Sequence, residues 1–166
     1  MKANLLFFLS FLFIYLHSFG QQPQSVSDSE KRQIDSLCRV VDQMTFTIIK
    51  DTAEILPNDE EFIKSKGTRF TTFYVNSSSH VQKVVVEENV WQTRRTFYYR
   101  NALLVKAVLG STHHQPTLDY YYNEQHNRIG DSLLEVLRSE KKMEQLKYAV
   151  LYNGKKYLKK FGNADK

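Results

Sequence analysis

Arg95-Thr96-Phe97-Tyr98-Tyr99-Arg100-Asn101-Ala102-Leu103-Leu104 is the stretch whose reading decides the fold. Aromatic and β-branched residues run up to an Asn, and apolar residues resume just beyond it. Asn tolerates the left-handed backbone of a tight reversal, and aromatic side chains suit a pleated, half-buried surface. The same pattern occurs at Tyr120-Tyr121-Tyr122-Asn123, at Val150-Leu151-Tyr152-Asn153-Gly154 and, more loosely, at Phe73-Tyr74-Val75-Asn76. The middle of the chain therefore reads as a run of antiparallel hairpins.

Working outward, the period-two pattern predicts strands at Thr68–Val75, Val81–Glu87, Val90–Tyr99, Leu103–Leu109 and Thr117–Tyr122. Before them, Ser27-x-x-Glu30 has the form of a capping box. Ile34, Leu37, Val41, Met44 and Ile48 then recur at three- and four-residue steps, which predicts an amphipathic helix from Asp28 to about Thr45. Arg32, Asp35, Arg39 and Asp42 fall on its other side. Thr45 to Ile49 is β-branched enough to turn into a strand, and Asp51 to Gly67 reads as an acidic loop. After the strands, Ser132-x-x-Glu135 and the apolar positions Leu133, Leu137, Met143, Leu146 and Val150 suit a helix through about Tyr152, followed by a short second helical piece. The competing reading of Asn153-Gly154 is a hairpin turn. The expected class is α+β. An N-terminal amphipathic helix packs on an antiparallel meander of about five strands, with one sheet face partly wet and a helical segment at the C-terminus.

The 166-residue chain opens with an export signal. Lys2 supplies the positive start, Leu5 to Leu16 the apolar core, and Ser18 and Gly20 the small residues before a cut at Gln21. That core is too short for a membrane span, and no second apolar run follows. Residues 1–20 are therefore assigned as the signal, 21–27 as a flexible leader and 28–166 as one domain, in a periplasmic or secreted setting. The formal charge of +5 falls to +4 without Lys2, too modest and dispersed to argue for nucleic acid. Cys38 is the one cysteine, so no internal disulfide can form, and its place on the apolar stripe predicts burial.

The ending Ser18-Phe19-Gly20-Gln21-Gln22 resembles export signals of Bacteroidetes-type bacteria. The order of one helix, a Tyr-rich meander and a Lys-rich helical tail is similar to small uncharacterised secreted proteins of those bacteria. The unit from Arg95 to Leu104 resembles MORN-like hairpins, with Asn-Ala where those repeats prefer a Gly-rich turn. The resemblance implies location and architecture. That family has no assigned activity, so it transfers no site residues.

Catalytic chemistry finds little footing. There is no Gly-x-Ser-x-Gly elbow, no phosphate-cradling Gly loop and no helical His-x-x-x-His. Asp59, Glu60 and Glu61 lack the alternate-position spacing of a calcium loop. No metal or other cofactor is expected. The function expected from sequence is a non-catalytic binding domain for a protein or an envelope glycan. Its candidate surface is Trp91, Arg95, Tyr98, Tyr120 and Tyr121, because Tyr and Trp beside Arg are common at recognition surfaces. The same rings would equally serve as cross-strand ladders that support the sheet. The alternative function is a small envelope hydrolase built on Ser111, His113, His114 and Asp119. A third use of the sheet is self-association through an exposed edge strand.

Overall fold

Ser27 starts the first helix as the spacing predicts. In the computed structural model, which describes residues 24–56, 66–113, 117–129 and 142–162, its Oγ accepts the Glu30 N–H at 3.4 Å. Glu30 Oε2 in turn accepts the Ser27 N–H at 2.8 Å, completing the capping box. Helix α1 runs Asp28–Gln43 and ends there because Met44 is extended (φ −76°, ψ 154°). The segments read as an export signal and as an acidic turn at Asp59, together with His114 and the capping pattern at Ser132, lie outside the described residues.

The sheet has six antiparallel strands in sequence order: β1 Thr47–Ile55, β2 Gly67–Val75, β3 Val81–Glu88, β4 Thr93–Arg100, β5 Leu103–Ser111 and β6 Leu118–Tyr121. The class is α+β as read, with one strand more than the five expected. The extra strand is β1, which takes the β-branched residues after α1 and continues to Ile55, into the stretch read as loop. Its pattern escapes a two-residue period because it is wet on both faces: only Ile55 is buried. β4 begins three residues later than read, because Asn89 to Gln92 form the reversal, with Gln92 at φ 50°. That reversal folds over the start of β2, where a Cβ on Gly67 would lie 1.9 Å from Val90 Cγ2.

Asn101 and Ala102 make the two-residue turn between β4 and β5, both at positive φ (52° and 58°). This is the twist that matches the flanking strands. Farther along the pair, Tyr98 faces Lys106 but Tyr99 faces Leu104, so Val105 is an extra residue in β5. The bulge lets Val105 join the cluster under α1, beside Lys106.

Each face of the sheet carries a helix. α1 covers one face through Ile34, Cys38 and Val41, which meet Tyr98 and Val105, with Val26 beside them. The segment read as a flexible leader is thus docked from Gln24 on: Asn123 Nδ2 donates to the Gln24 carbonyl at 3.0 Å. The short helix α2, Glu124–Arg128, is capped by Asn123. The other face, expected to be partly wet, lies beneath α3, a single helix over Lys142–Gly162. Tyr148, Leu151, Leu158 and Phe161 of α3 recur at helical spacing and pack on Phe73, Val84, Phe97, Tyr99 and Leu104. Asn153-Gly154 neither turns nor breaks this helix. Gly154 passes against the sheet, where a Cβ would lie 2.7 Å from Leu104 Cδ2, and its carbonyl accepts the Tyr99 hydroxyl at 3.0 Å. Close approach explains a glycine in a helix interior better than a cap does.

Candidate interaction surface

The five residues singled out from sequence do not share a surface. Tyr98 and Tyr121 point toward α1, and Arg95 and Tyr120 toward α3. Trp91 sits in the β3–β4 reversal, 44% exposed. Alternation puts adjacent tyrosines on opposite faces, and each face has its own helix to receive them.

On the α1 face the tyrosines belong to a row that crosses five strands. Tyr74 pairs with Lys83, Lys83 with Tyr98, Tyr98 with Lys106, and Lys106 with Tyr121. Cations alternate with rings along it: Lys83 Nζ lies 4.3 Å from the Tyr74 ring centre and Lys106 Nζ 4.8 Å from that of Tyr121. Two α1 carboxylates clamp the row. Asp42 accepts the Tyr98 hydroxyl at 3.0 Å and Lys83 Nζ at 2.9 Å. Asp35 accepts the Tyr121 hydroxyl at 2.9 Å and Lys106 Nζ at 2.7 Å, and Asp119 holds the same ammonium at 2.7 Å. Asp35 and Asp42 are seven residues apart, two turns, so both meet one row. Sequence reasoning put them on the helix's outer side. Their spacing relative to Ile34 and Val41, at the margin of the buried stripe, was the available signal.

The titration behaviour follows from this packing. Lys106 is 8% exposed. Burial pulls its pKa down, but hydrogen bonds to Asp119, Asp35 and Tyr121 outweigh that and push it above the usual lysine range. Burial works against ionised Asp35, yet the bonds from Lys106 and Tyr121 leave its carboxyl below the usual range. Cys38 is buried as expected, and burial pushes its thiol up to about 12, which makes it inert as a nucleophile. Beside this cluster, His126 of α2 is also buried, and burial, aided by Lys147, lowers its pKa to about 4. It closes the α2 cap, with Nδ1 3.3 Å from the Asn123 backbone nitrogen and 2.8 Å from Asn123 Oδ1.

On the α3 face, Arg95 and Arg69 both pair with the buried carboxylate of Glu88. Arg95 Nε and the Tyr120 hydroxyl are buried without a hydrogen-bond partner. Of the four hydrolase residues, His114 lies outside the described residues, and no hydrogen bond joins the side chains of the other three. The Ser111 hydroxyl accepts the His113 backbone N–H at 3.2 Å, and Asp119 is engaged with Lys106. Among the described residues no group of three His, Cys, Asp or Glu side chains is placed to hold a metal ion. A polar cleft of about 400 Å³ lies at the other end of the sheet, between Gln24, Glu30, Gln33, Arg100, Asn123 and Glu124.

With the tyrosines occupied, the uncovered surface lies at β1. Among the described residues this strand pairs only with β2, in unbroken register from Thr47↔Val75 to Ile55↔Gly67. Ile48 is 55% exposed on one face and Ile49 43% exposed on the other. Val40 and Met44 of α1 are exposed as well. Among the described residues no bulge or proline interrupts it and no other element covers its outer edge, and such an edge leaves N–H and C=O groups free to pair. Sequence reasoning reached only the first residues of the strand, through the β-branching of Thr47 to Ile49, and took Asp51 onward as loop because no alternation marked it. Compared with known proteins, the chain matches no family model, no curated protein and no solved structure.

Proposed function

We propose that this chain is a non-catalytic interaction domain, exported by its N-terminal apolar segment, that holds a partner along the edge strand β1. The observation that carries this reading is the burial of β1: nine residues, of which one is buried. The ionisable groups on the α1 face are tied to one another in ways that anchor the helix, which favours a scaffold over a reaction centre. β-Strand addition supplies main-chain hydrogen bonds for affinity and alternate side chains for specificity. Ile48 and Ile49 would then be apolar contacts on either side of the added strand.

Site-specific photo-crosslinking in the producing cells tests this and captures the partner whatever its identity. A photoreactive amino acid at Ile49 is expected to give discrete covalent adducts, and one at exposed Arg128 none. Adducts at Arg100 but not at Ile49 would move the site to the polar cleft and end the β1 reading.

A further inference from the structure

We infer that the partner of β1 is a second copy of this chain, its β1 paired antiparallel about a two-fold axis at Thr52. The inference rests on the reading of β1 as the binding element. A two-fold axis perpendicular to the sheet keeps each residue on its own face, so opposed residues must share a face. Register therefore moves in steps that keep odd residues against odd and even against even.

The sequence of β1 discriminates among neighbouring registers. With Lys50 on the axis, two ammonium groups meet. With Asp51 on the axis, two carboxylates meet, and Ile48 faces Glu54 of the other copy. With Thr52 on the axis, Lys50 faces Glu54 of the other copy, twice by symmetry. Ile49 then faces Ile55, Ile48 faces Leu56, and Asp51 faces Ala53. With Ala53 on the axis, Lys50 faces Leu56 and Asp51 faces Ile55, so Lys50 has no opposite charge across the seam. Like charges directly opposed destabilise a sheet, and opposite charges and apolar pairs stabilise it. Of these four registers, only the one centred on Thr52 sets Lys50 against an opposite charge and opposes no like charges.

The surroundings permit it. Lys50 and Glu54 lie on the α1 face, where β1 is uncovered; Lys50 pairs with Thr72 and Glu54 with Thr68. Glu54 takes Lys66 through Oε1 at 2.9 Å, and its second oxygen can accept Lys50 from the other copy. On the α3 face, Asp51 keeps its own cation, Lys160, and presents Ala53 of the other copy with no second charge. Ile48 and Leu56, both exposed, cover one another. The product is one sheet continuous through two copies, closed at each far end by β6.

Sedimentation velocity over a concentration series, on the full chain and two charge variants, tests the register as well as the association. The wild-type chain is expected to form a dimer. Lys50→Glu and Glu54→Lys should each weaken it at least about tenfold by opposing like charges at two symmetric positions. Combining them should restore the dimer to within about threefold, because the pair is exchanged and not lost. Both residues are exposed, and circular dichroism checks that each variant is folded. A wild-type chain that stays monomeric, or a dimer indifferent to all three variants, overturns the inference. A monomer that still gives adducts to other proteins at Ile49 would sink the homodimer and leave β1 as the binding element. The absence of both would remove the two readings together.

Discussion

The sheet has two edges, and they are built differently. β6 is four residues long, and Tyr120 and Tyr121 on it are partly covered. Asp119 on it is tied to Lys106 on the neighbouring strand, and the chain leaves it through Tyr122, whose N–H donates to the Val105 carbonyl at 3.0 Å. α2 follows at once. β1 is nine residues long and unbulged, and among the described residues nothing lies along its outer edge, α3 reaching the strand through the Lys160–Asp51 ion pair. Short length and tied side chains make β6 the poorer template for pairing and leave β1 the better one. The charges show the same contrast. Lys106 is buried among partners that fix α1 to the sheet, whereas Lys50, on the same face, is exposed.

The largest expected effect breaks the covered half. Phe97 is 1% exposed between Val84 and Ala107 on the flanking strands, with Tyr157 of α3 5.5 Å away. Phe97→Ala should cost about 3–5 kcal/mol in urea unfolding, the loss of a buried ring plus the cavity it leaves. Ile48→Ala, measured in dilute solution where association is negligible, should stay within about 0.5 kcal/mol. A comparable loss at Ile48 would mean that β1 is held by its own chain and is not a free edge.

The same asymmetry explains what could be read from the sequence. The covered strands were legible because the middle of each carries apolar residues at two-residue steps on one face, Phe73 and Val75, Val84 and Val86, Phe97 and Tyr99. α1 was legible from its capping box and stripe. β1 was legible only at its β-branched start, Thr47 to Ile49, since a strand wet on both faces carries no alternation for the eye to find. The tyrosines misled for a related reason. Composition shows surplus rings on the strands but not that helices lie on both faces, and the second helix, α3, depended on how Asn153-Gly154 was taken. Helical propensity and the spacing of Tyr157 and Phe161 won there, because Leu104 needs the room that Gly154 leaves. The roles of Asp35 and Asp42 became visible only once register placed Lys83, Tyr98, Lys106 and Tyr121 in one row.

The next effect sharpens the contrast between the two lysines. Lys106→Met should cost about 3 kcal/mol at neutral pH, because it leaves Asp35 and Asp119 facing a site built for a cation. Lys50→Met should cost the monomer less than about 0.5 kcal/mol. In the wild type, the depressed Asp35 carboxyl adds stability that is present above the usual carboxylate pKa, about 4, and is lost as pH falls through its lower folded value. Raised Lys106 adds stability that is full below about pH 10 and is lost as pH rises through its folded value. In the methionine variant, burial without the ammonium disfavours the charged carboxylate, so its deficit should shrink as pH drops below about 4. A deficit that is flat across that range would argue that Lys106 acts by packing alone.

The smallest effect lies at the turn between β4 and β5. Ala102 holds φ 58°, a backbone region where a Cβ crowds the following carbonyl oxygen at a cost of about 1–2 kcal/mol. Glycine removes that crowding, although it also gives the unfolded chain more freedom. The balance predicts that Ala102→Gly stabilises the chain by about 1 kcal/mol in thermal or urea unfolding. The turn belongs to the covered centre of the sheet and lies away from β1, so the same variant should leave the dimer dissociation constant unchanged. A gain in stability accompanied by altered association would show that the centre and the open edge are coupled, and that the sheet responds as one body to strain at its turns.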